Sequence, residues 1–329
     1  MNAADKVRAR VGIIGCSSIA RRRFLPALIG SDKAALEIIG SREWAKAKQT
    51  AELFDCAAYG SYDDVINSHN VDLLYISTPP TERRYLLEAA IKAGKHVLCE
   101  KPLLSNAGET KEILELAAHQ GVRVFENYAY LCHPQHAAVK KLISQNLIGL
   151  VRDISVRYTY PLPAANDIRL KPELGGGVVN DSLGYPISLA NYLEGSRFDL
   201  IESSIGHSNK LGVDVNCKFR AVVGKRINFT AYVGMDEEYR SAYVVTGDSG
   251  VIEVTRAFSV DESHQATVIL RTAQGREVVT VMPANQFRMH LEDCVSALSR
   301  KDDFAEGNIL AVRTLMDEVI RSASTAVIP

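Results

Sequence analysis

The stretch Val11-Gly12-Ile13-Ile14-Gly15-Cys16-Ser17-Ser18-Ile19-Ala20 decides the fold. Residues 11–14 form a short apolar run of buried-strand type. Gly15 opens a turn, and residues 19–29 have the pattern of the following helix. Taken as G-x-G-x-x-A, the motif carries Ser17 at its second glycine position and Ala20 at its third. Gly15 still permits the tight turn. Small residues still admit a pyrophosphate to the backbone N–H groups, and Ala20 allows close helix–strand contact. A strand–glycine turn–helix also occurs without a nucleotide, so the chain on either side has to decide.

Downstream, residues 36–39 read as a second strand and 44–53 as a helix. Residues 72–77 read as a third strand, stopped by Pro79 and Pro80. A helix over 85–93 closes at Gly94, a C-cap residue. Residues 96–99 and 122–125 are two more strands, with a helix over 109–119 between them. This alternation predicts a doubly wound parallel sheet of Rossmann type over residues 1–125. The pattern then changes. After a helix over 135–145, residues 151–282 are mostly strand-like, with period two over 153–160, 213–220, 226–233 and 240–245. Alternation of that kind buries one face and suits an antiparallel sheet. Helices are expected over 181–193, 286–299 and 309–322. Residues 126–329 are therefore read as a second, α+β domain.

A chain of 329 residues suits about two domains. Hydrophobic residues at 47% and charged residues at 23% are ordinary for a folded protein. Lys and Arg number 38 against 39 Asp and Glu, a net charge of −1. No global basic excess exists to neutralise phosphates, so a nucleic-acid partner is not expected, although a local anion pocket remains open. The longest stretch without a charged residue, 127–139, has 13 residues. A membrane helix needs about 20, so no membrane partner is expected. The N-terminal residues have no apolar signal core, and the expected location is cytoplasmic. Six Cys, at 16, 56, 99, 132, 217 and 294, show no CxxC or Cys/His spacing, and the eight His show no HExxH. Reduced buried thiols and no metal are expected.

Three further groups carry chemistry. Gly40-Ser41-Arg42 ends the second strand, where an NAD site needs an acidic residue for the ribose 2′-hydroxyl. Ser41 can hydrogen-bond a 2′-phosphate instead and Arg42 can pair with it, which favours NADP(H) over a solvated loop with an incidental Arg. Of Arg21, Arg22 and Arg23, at most one or two share the cofactor's side of their helix. Ser77-Thr78-Pro79-Pro80 and Glu100-Lys101-Pro102 end neighbouring parallel strands, at the edge where open α/β sheets bind ligands. Gly175-Gly176-Gly177 lets backbone approach a ligand or partner chain. Asp181 and Tyr185, spaced i,i+4 on the ensuing helix, fall on one face. That places a carboxylate beside a phenol, although such pairs are more often a cap and a packed ring.

Together GIIGCSSIA, ISTPP, AGKHVLCEKPL and GGGVVNDSLGYP resemble, in order and over the whole chain, the Gfo/Idh/MocA oxidoreductases. This is the family of glucose–fructose oxidoreductase and inositol dehydrogenase. The resemblance implies a Rossmann domain followed by an open, mostly antiparallel sheet that often forms a dimer interface, hence a homodimer or homotetramer. It implies hydride transfer at a secondary carbon of a sugar or cyclitol with NAD(P). It places the cofactor at Gly15, Cys16, Ser17, Ser18, Ile19, Ser41, Arg42, Thr78, Pro79, Glu100 and Lys101. The family's catalytic Lys falls on Lys101, its Asp on Asp181, and its acid/base His on Tyr185. The Tyr-Pro form resembles the branch with dihydrodiol dehydrogenases and nucleotide-sugar 3-ketoreductases. Leu183 replaces a family glycine, and Arg83 stands where a His is common. Residues 126–136 are similar to a segment of deoxysugar 3-ketoreductases, which draws in Asn127, His133 and His136.

The implied substrate is a nucleotide-linked 3-keto-6-deoxyhexose, contacted by Asn127, Tyr158, Asp181 and Tyr185. Arg157, Arg169, Lys171 and Tyr158 are candidates for its diphosphate, though each is more often a solvated side chain. In the reductive direction Tyr185 gives the proton and Lys101 hydrogen-bonds the carbonyl oxygen. A phenol that titrates near 10 is a poor acid near neutrality without a nearby cation. The alternatives are a free-sugar or dihydrodiol dehydrogenase and, in another class, a non-catalytic NADP-binding regulator. Retention of Lys101 and Tyr185 favours an enzyme.

Overall fold

The structure, a computed structural model, describes residues 8–195, 197–298 and 306–328. Strands β1 (Ala9–Ile14), β2 (Ala34–Gly40), β3 (Tyr59–Gly60), β4 (Leu73–Ile76), β5 (His96–Cys99) and β6 (Val124–Glu126) form one parallel sheet in the order β3-β2-β1-β4-β5-β6. This is the doubly wound order, which reverses direction at β1. Val11, Ile13, Ile14 and the whole of β4 are buried, as strands covered on both faces require.

The helix after the glycine turn starts wide. Ala20–Phe24 is a π-helical turn and Leu25–Ile29 is α-helical. Pro26 accounts for the change, since it has no N–H and its ring crowds the carbonyl four residues back. The Leu25 N–H bonds Ala20 O in the wider spacing. Strand β3 escaped the sequence pattern because two residues show no periodicity.

The chain divides into two compact units, Met1–Asn127 with Phe287–Leu310, and Tyr128–Gln286 with Ala311–Pro329. A single break near residue 125 was expected, with everything after it in the second domain. Instead, Leu291, Cys294 and Ala297 of the helix Gln286–Leu298 pack with Val11, Ile13, Phe24 and Tyr75, and Ile309 joins the apolar cluster of Leu86, Val97 and Ile113. Amphipathic periodicity marks an apolar helix face but does not say which sheet that face covers.

The second unit is built on β7 (Val151–Tyr160), β8 (Phe198–Ser208), β9 (Val213–Val223), β10 (Ile227–Met235), β11 (Arg240–Gly247), β12 (Gly250–Val254), β13 (Thr267–Thr272), β14 (Gly275–Thr280) and β15 (Ser324–Ile328). Their order is β14-β13-β12-β11-β7-β10-β9-β8-β15. The sheet is mostly antiparallel; β7–β10 and β8–β15 are its parallel pairs. On β9, Val213, Val215, Cys217, Phe219, Ala221 and Val223 are buried, and the residues between them are half-buried or exposed. The buried face is covered by the helices Pro134–Ser144, Gly184–Glu194 and Glu306–Ser322. The edge strand β15 was not anticipated, because its residues are almost all exposed and carry no alternation. Among the described residues no helix is long and apolar enough to cross a membrane.

Candidate active site

In the first unit, backbone hydrogen bonds stitch the ends of adjacent strands into one continuous edge. Gly15 N donates to Gly40 O at 3.0 Å, Ser77 N to Ile14 O at 2.9 Å, Glu100 N to Ile76 O at 2.9 Å, and Asn127 N to Cys99 O at 2.8 Å. The residues expected to bind cofactor therefore line up along the C-terminal edge of the parallel sheet, on both sides of β1. Gly15 has φ +94°, which favours glycine at the turn, and a Cβ there would press on Ser77 Oγ at 3.2 Å. Ser77 Oγ donates to Gly15 O at 2.8 Å. Ser17 Oγ accepts from Ala20 N at 3.1 Å. Cys16 is buried, Ser17 and Ile19 are half-buried, and Ser18 is exposed. Arg21 and Arg22 are exposed and Arg23 is half-buried.

Two polar atoms at this edge are buried without a hydrogen-bond partner, Thr78 Oγ1 and Asn127 Oδ1. Burying such groups unpaired costs about 1–3 kcal/mol each, so both fit a ligand that completes them. The Glu100 side chain is buried beside them, where its Oε1 accepts from Tyr75 OH at 2.7 Å and Asn127 Nδ2 at 2.6 Å. Burial first, and then this carboxylate, hold the Tyr75 phenol well above its ordinary range. Tyr75 also stacks on Phe24, with ring centroids 3.5 Å apart. Lys101 follows, half-buried, and the Lys101–Pro102 peptide is cis.

Arg83 stands where the family often carries a His. It is buried, and its Nε donates to Thr78 O at 2.9 Å, its Nη1 to Glu100 O at 2.5 Å and also to Pro102 O. No local pattern announces this role, because two of the three acceptors, Glu100 O and Pro102 O, lie on the loop after β5, far from Arg83 in sequence.

Ser41 is buried and its Oγ accepts from Glu43 N at 3.2 Å. Arg42 is exposed and pairs with Glu82, Nη1 to Oε1 at 2.7 Å, an ion pair sequence reasoning did not foresee. Glu82 Oε2 is buried with no partner.

In the second unit, Tyr185 lies half-buried in a nest of aromatic rings. Ring centroids of Tyr128, Tyr130, Tyr158 and Phe258 stand 5.8, 5.4, 5.1 and 5.3 Å from its own. Tyr130 OH donates to Tyr185 O at 2.9 Å. Gly184 is more tightly confined than the turn glycine, since a Cβ there would overlap Tyr128 OH. The expected helix over 181–193 is two helices, Val178–Ser182 and Gly184–Glu194, joined at Leu183, whose backbone stays helical. Asp181 Oδ2 accepts from Tyr160 OH at 2.8 Å and Ser182 Oγ at 3.1 Å, and Arg169 Nη1 stands 4.0 Å away. Burial, then the Asp181 charge, raise the Tyr160 phenol far above its usual value.

The glycine triplet approaches its own chain. Gly177 N donates to Arg169 O at 2.8 Å, and a Cβ on Gly177 would run into the Asp214 carboxylate. Of the residues considered for a diphosphate, Arg169 is held by both oxygens of Asp167 at 2.9 Å. Arg157 pairs with Glu237 at 2.7 Å and lies over the Tyr232 ring. Both cations thus already have carboxylate partners. His136 is fully buried, bonded to Tyr243 OH and Ala257 O at 3.0 Å each. His133 caps the helix Pro134–Ser144, its Nδ1 accepting from Gln135 N at 3.3 Å. Among the described residues no group of His, Cys, Asp and Glu is placed to hold a metal.

Known proteins match this arrangement. Residues 9–128 match the family model of an oxidoreductase family with an NAD-binding Rossmann fold, and residues 136–253 that of the GFO/IDH/MocA C-terminal domain. The chain is 35% identical over 289 residues to a dTDP-3,4-didehydro-2,6-dideoxy-alpha-D-glucose 3-reductase of Streptomyces violaceoruber, covering 87% of this chain and 84% of that one. It is 31% identical over 322 residues to a D-xylose 1-dehydrogenase (NADP(+)) of Haloferax volcanii, covering 95% and 97%. The crystal structure of a 3-ketoreductase from Actinomadura kijaniata, in complex with NADP and TDP-benzene, superposes with a TM-score of 0.94 at 27% identity, over 98% of this chain and 100% of that one. With both of its domains matched in order, the chain belongs to the GFO/IDH/MocA family of oxidoreductases.

Proposed function

We propose that this chain is an NADP(H)-dependent reductase of a nucleotide-linked 3-keto-deoxyhexose. The observation that carries this reading is the pair of unpartnered buried atoms, Thr78 Oγ1 and Asn127 Oδ1, at the strand edge that bears Glu100 and Lys101. With Gly15 leaving the turn open, these atoms fit a nicotinamide dinucleotide. Ser41 and Arg42, in place of an acidic residue after β2, favour the 2′-phosphorylated form. The substrate class comes from the Streptomyces and Actinomadura relatives.

When bound, NADPH supplies the hydride. Lys101 hydrogen-bonds the substrate carbonyl oxygen and stabilises the negative charge that grows there. Tyr185 gives its phenolic proton to the developing alkoxide. Asp181 orients substrate beside Tyr160. Glu100, held by Tyr75 and Asn127, fixes the turn that carries Lys101. The same reading has the protein work in the cytoplasm as a homodimer or homotetramer joined through the nine-stranded sheet. The six free cysteines support the location, and a light-scattering mass checks the assembly.

The test follows NADPH absorbance with dTDP-3,4-didehydro-2,6-dideoxy-D-glucose, and NADP with D-xylose, glucose and inositol, with NADH and NAD controls. Consumption confined to the dTDP-sugar and NADPH is expected. The Haloferax relative supports a second reading, a free-sugar dehydrogenase, and reduction of NADP by D-xylose alone would select it. Tight NADPH binding without turnover on any sugar would make the chain a cofactor-binding regulator.

A further inference from the structure

Arg83 carries two electrostatic costs at one place. Its guanidinium is buried, 4% exposed, and among the described residues no carboxylate pairs with it. It is also the first residue of the helix Arg83–Lys92, where the positive end of the helix dipole disfavours a cation. An unpaired buried charge persists only when hydrogen bonds satisfy it. Here they run to three backbone carbonyls, those of Thr78, Glu100 and Pro102. Glu100 and Pro102 are the two neighbours of Lys101. Thr78 follows β4, and the Glu100-Lys101-Pro102 turn follows β5, the adjacent strand. The guanidinium thus grips the backbone on both sides of Lys101 and ties it to the next strand end.

Resting on the reading of Lys101 as the group that polarises the substrate carbonyl, we infer that Arg83 is the positioning residue for Lys101, fixing the direction of its side chain through the carbonyls that flank it. A planar fork with five donors holds three acceptors in fixed relation. A lysine at 83 keeps the charge but has no fork, and a glutamine keeps a short donor without the charge. Neither reproduces the grip. Misplacing a reacting group by about 1 Å costs about 10²-fold in rate, and Arg83 contributes on that scale without touching substrate.

The experiment uses the full chain and its Arg83→Lys, Arg83→Gln and Lys101→Ala variants, with whichever sugar of the panel the wild type turns over. NADPH affinity comes from fluorescence titration, kcat and KM from absorbance, and the hydride-transfer step from the isotope effect with 4-deuterated NADPH. Both Arg83 variants are expected to bind NADPH within about threefold of wild type and to lose about 10²-fold in kcat. Their isotope effect should be larger, because hydride transfer becomes limiting. Arg83 variants within about threefold of wild-type kcat, beside an inactive Lys101→Ala, would overturn the inference and leave the proposed function standing. An equal loss of NADPH affinity, kcat and thermal stability would also overturn it, as the mark of a purely structural residue. Turnover by Lys101→Ala, or none by the wild type on any sugar, would remove the proposed chemistry first and the inference with it.

Discussion

Arg42 and Glu82 are single residues at the strand ends where the proposed cofactor would lie. They follow β2 and β4, the strands on either side of β1, so their ion pair bridges the strand ends flanking the glycine turn. Arg42 is 64% exposed, and an ion pair so wetted is worth at most about 1 kcal/mol. A 2′-phosphate can therefore draw the guanidinium away, while the Glu82 charge opposes it. Glu82→Gln should tighten NADPH about fivefold relative to NADH, the equivalent of about 1 kcal/mol. Arg42→Ala should weaken NADPH by tenfold or more and leave NADH nearly unchanged. Fluorescence titration reads both, and an unaltered NADPH-to-NADH ratio in both variants would take this pair out of cofactor selection. Tyr185 offers a second residue-level test. Tyr185→Phe should retain NADPH affinity, slow reduction, and change the pH dependence of kcat; an unchanged pH–rate profile would assign the proton to another group. The places of Gly15, Thr78, Glu100 and Lys101 just past their strands were readable from the sequence because each sits a fixed step from a strand end. Glu82 and Arg83 were not, since Arg42, Glu100 and Pro102 reach them from other loops.

Elements were readable where their periodicity is self-contained. The buried runs of β1, β4 and β5 and the alternation of β9 and β10 each state their own environment. The π-helical turn, the break at Leu183 and the exposed strand β15 depend on neighbours and carried no such mark. The helix Pro134–Ser144 shows what neighbours add. His136 bolts it to β11 through Tyr243 and to Ala257. Burial lowers this histidine from its ordinary value of 6.5 to about 3, so the folded chain keeps it neutral while the unfolded chain takes up a proton below about 6.5. Its contribution to stability is complete above that pH and is lost as the pH falls from 6.5 toward 3. The slope approaches about 1.4 kcal/mol per pH unit. Urea unfolding at pH 7.5 and 5.5 should show the wild type losing more stability than His136→Gln. Equal losses would mean that His136 is not held neutral.

For the whole molecule, the two-sheet architecture followed from the change of period near residue 125, but the order of strands within each sheet and the path of the C-terminal chain did not. A helical pattern over residues 286–299 is equally compatible with either sheet. The decision lies in the packing of Leu291, Cys294 and Ala297 with Val11, Ile13 and Tyr75. The parallel sheet therefore lacks part of its core until residues far along the chain are made. Exposing a large apolar side chain costs about 1.5–3 kcal/mol, and total stability is only about 5–15 kcal/mol. A fragment of residues 1–127 should thus be largely unfolded by circular dichroism and bind NADPH at least tenfold more weakly than the full chain. The same fragment joined by a flexible linker to residues 287–310 should regain a cooperative melt and most of that affinity. Residues 1–127 folding and binding NADPH alone would show that the returning helix merely covers a sheet that is already complete.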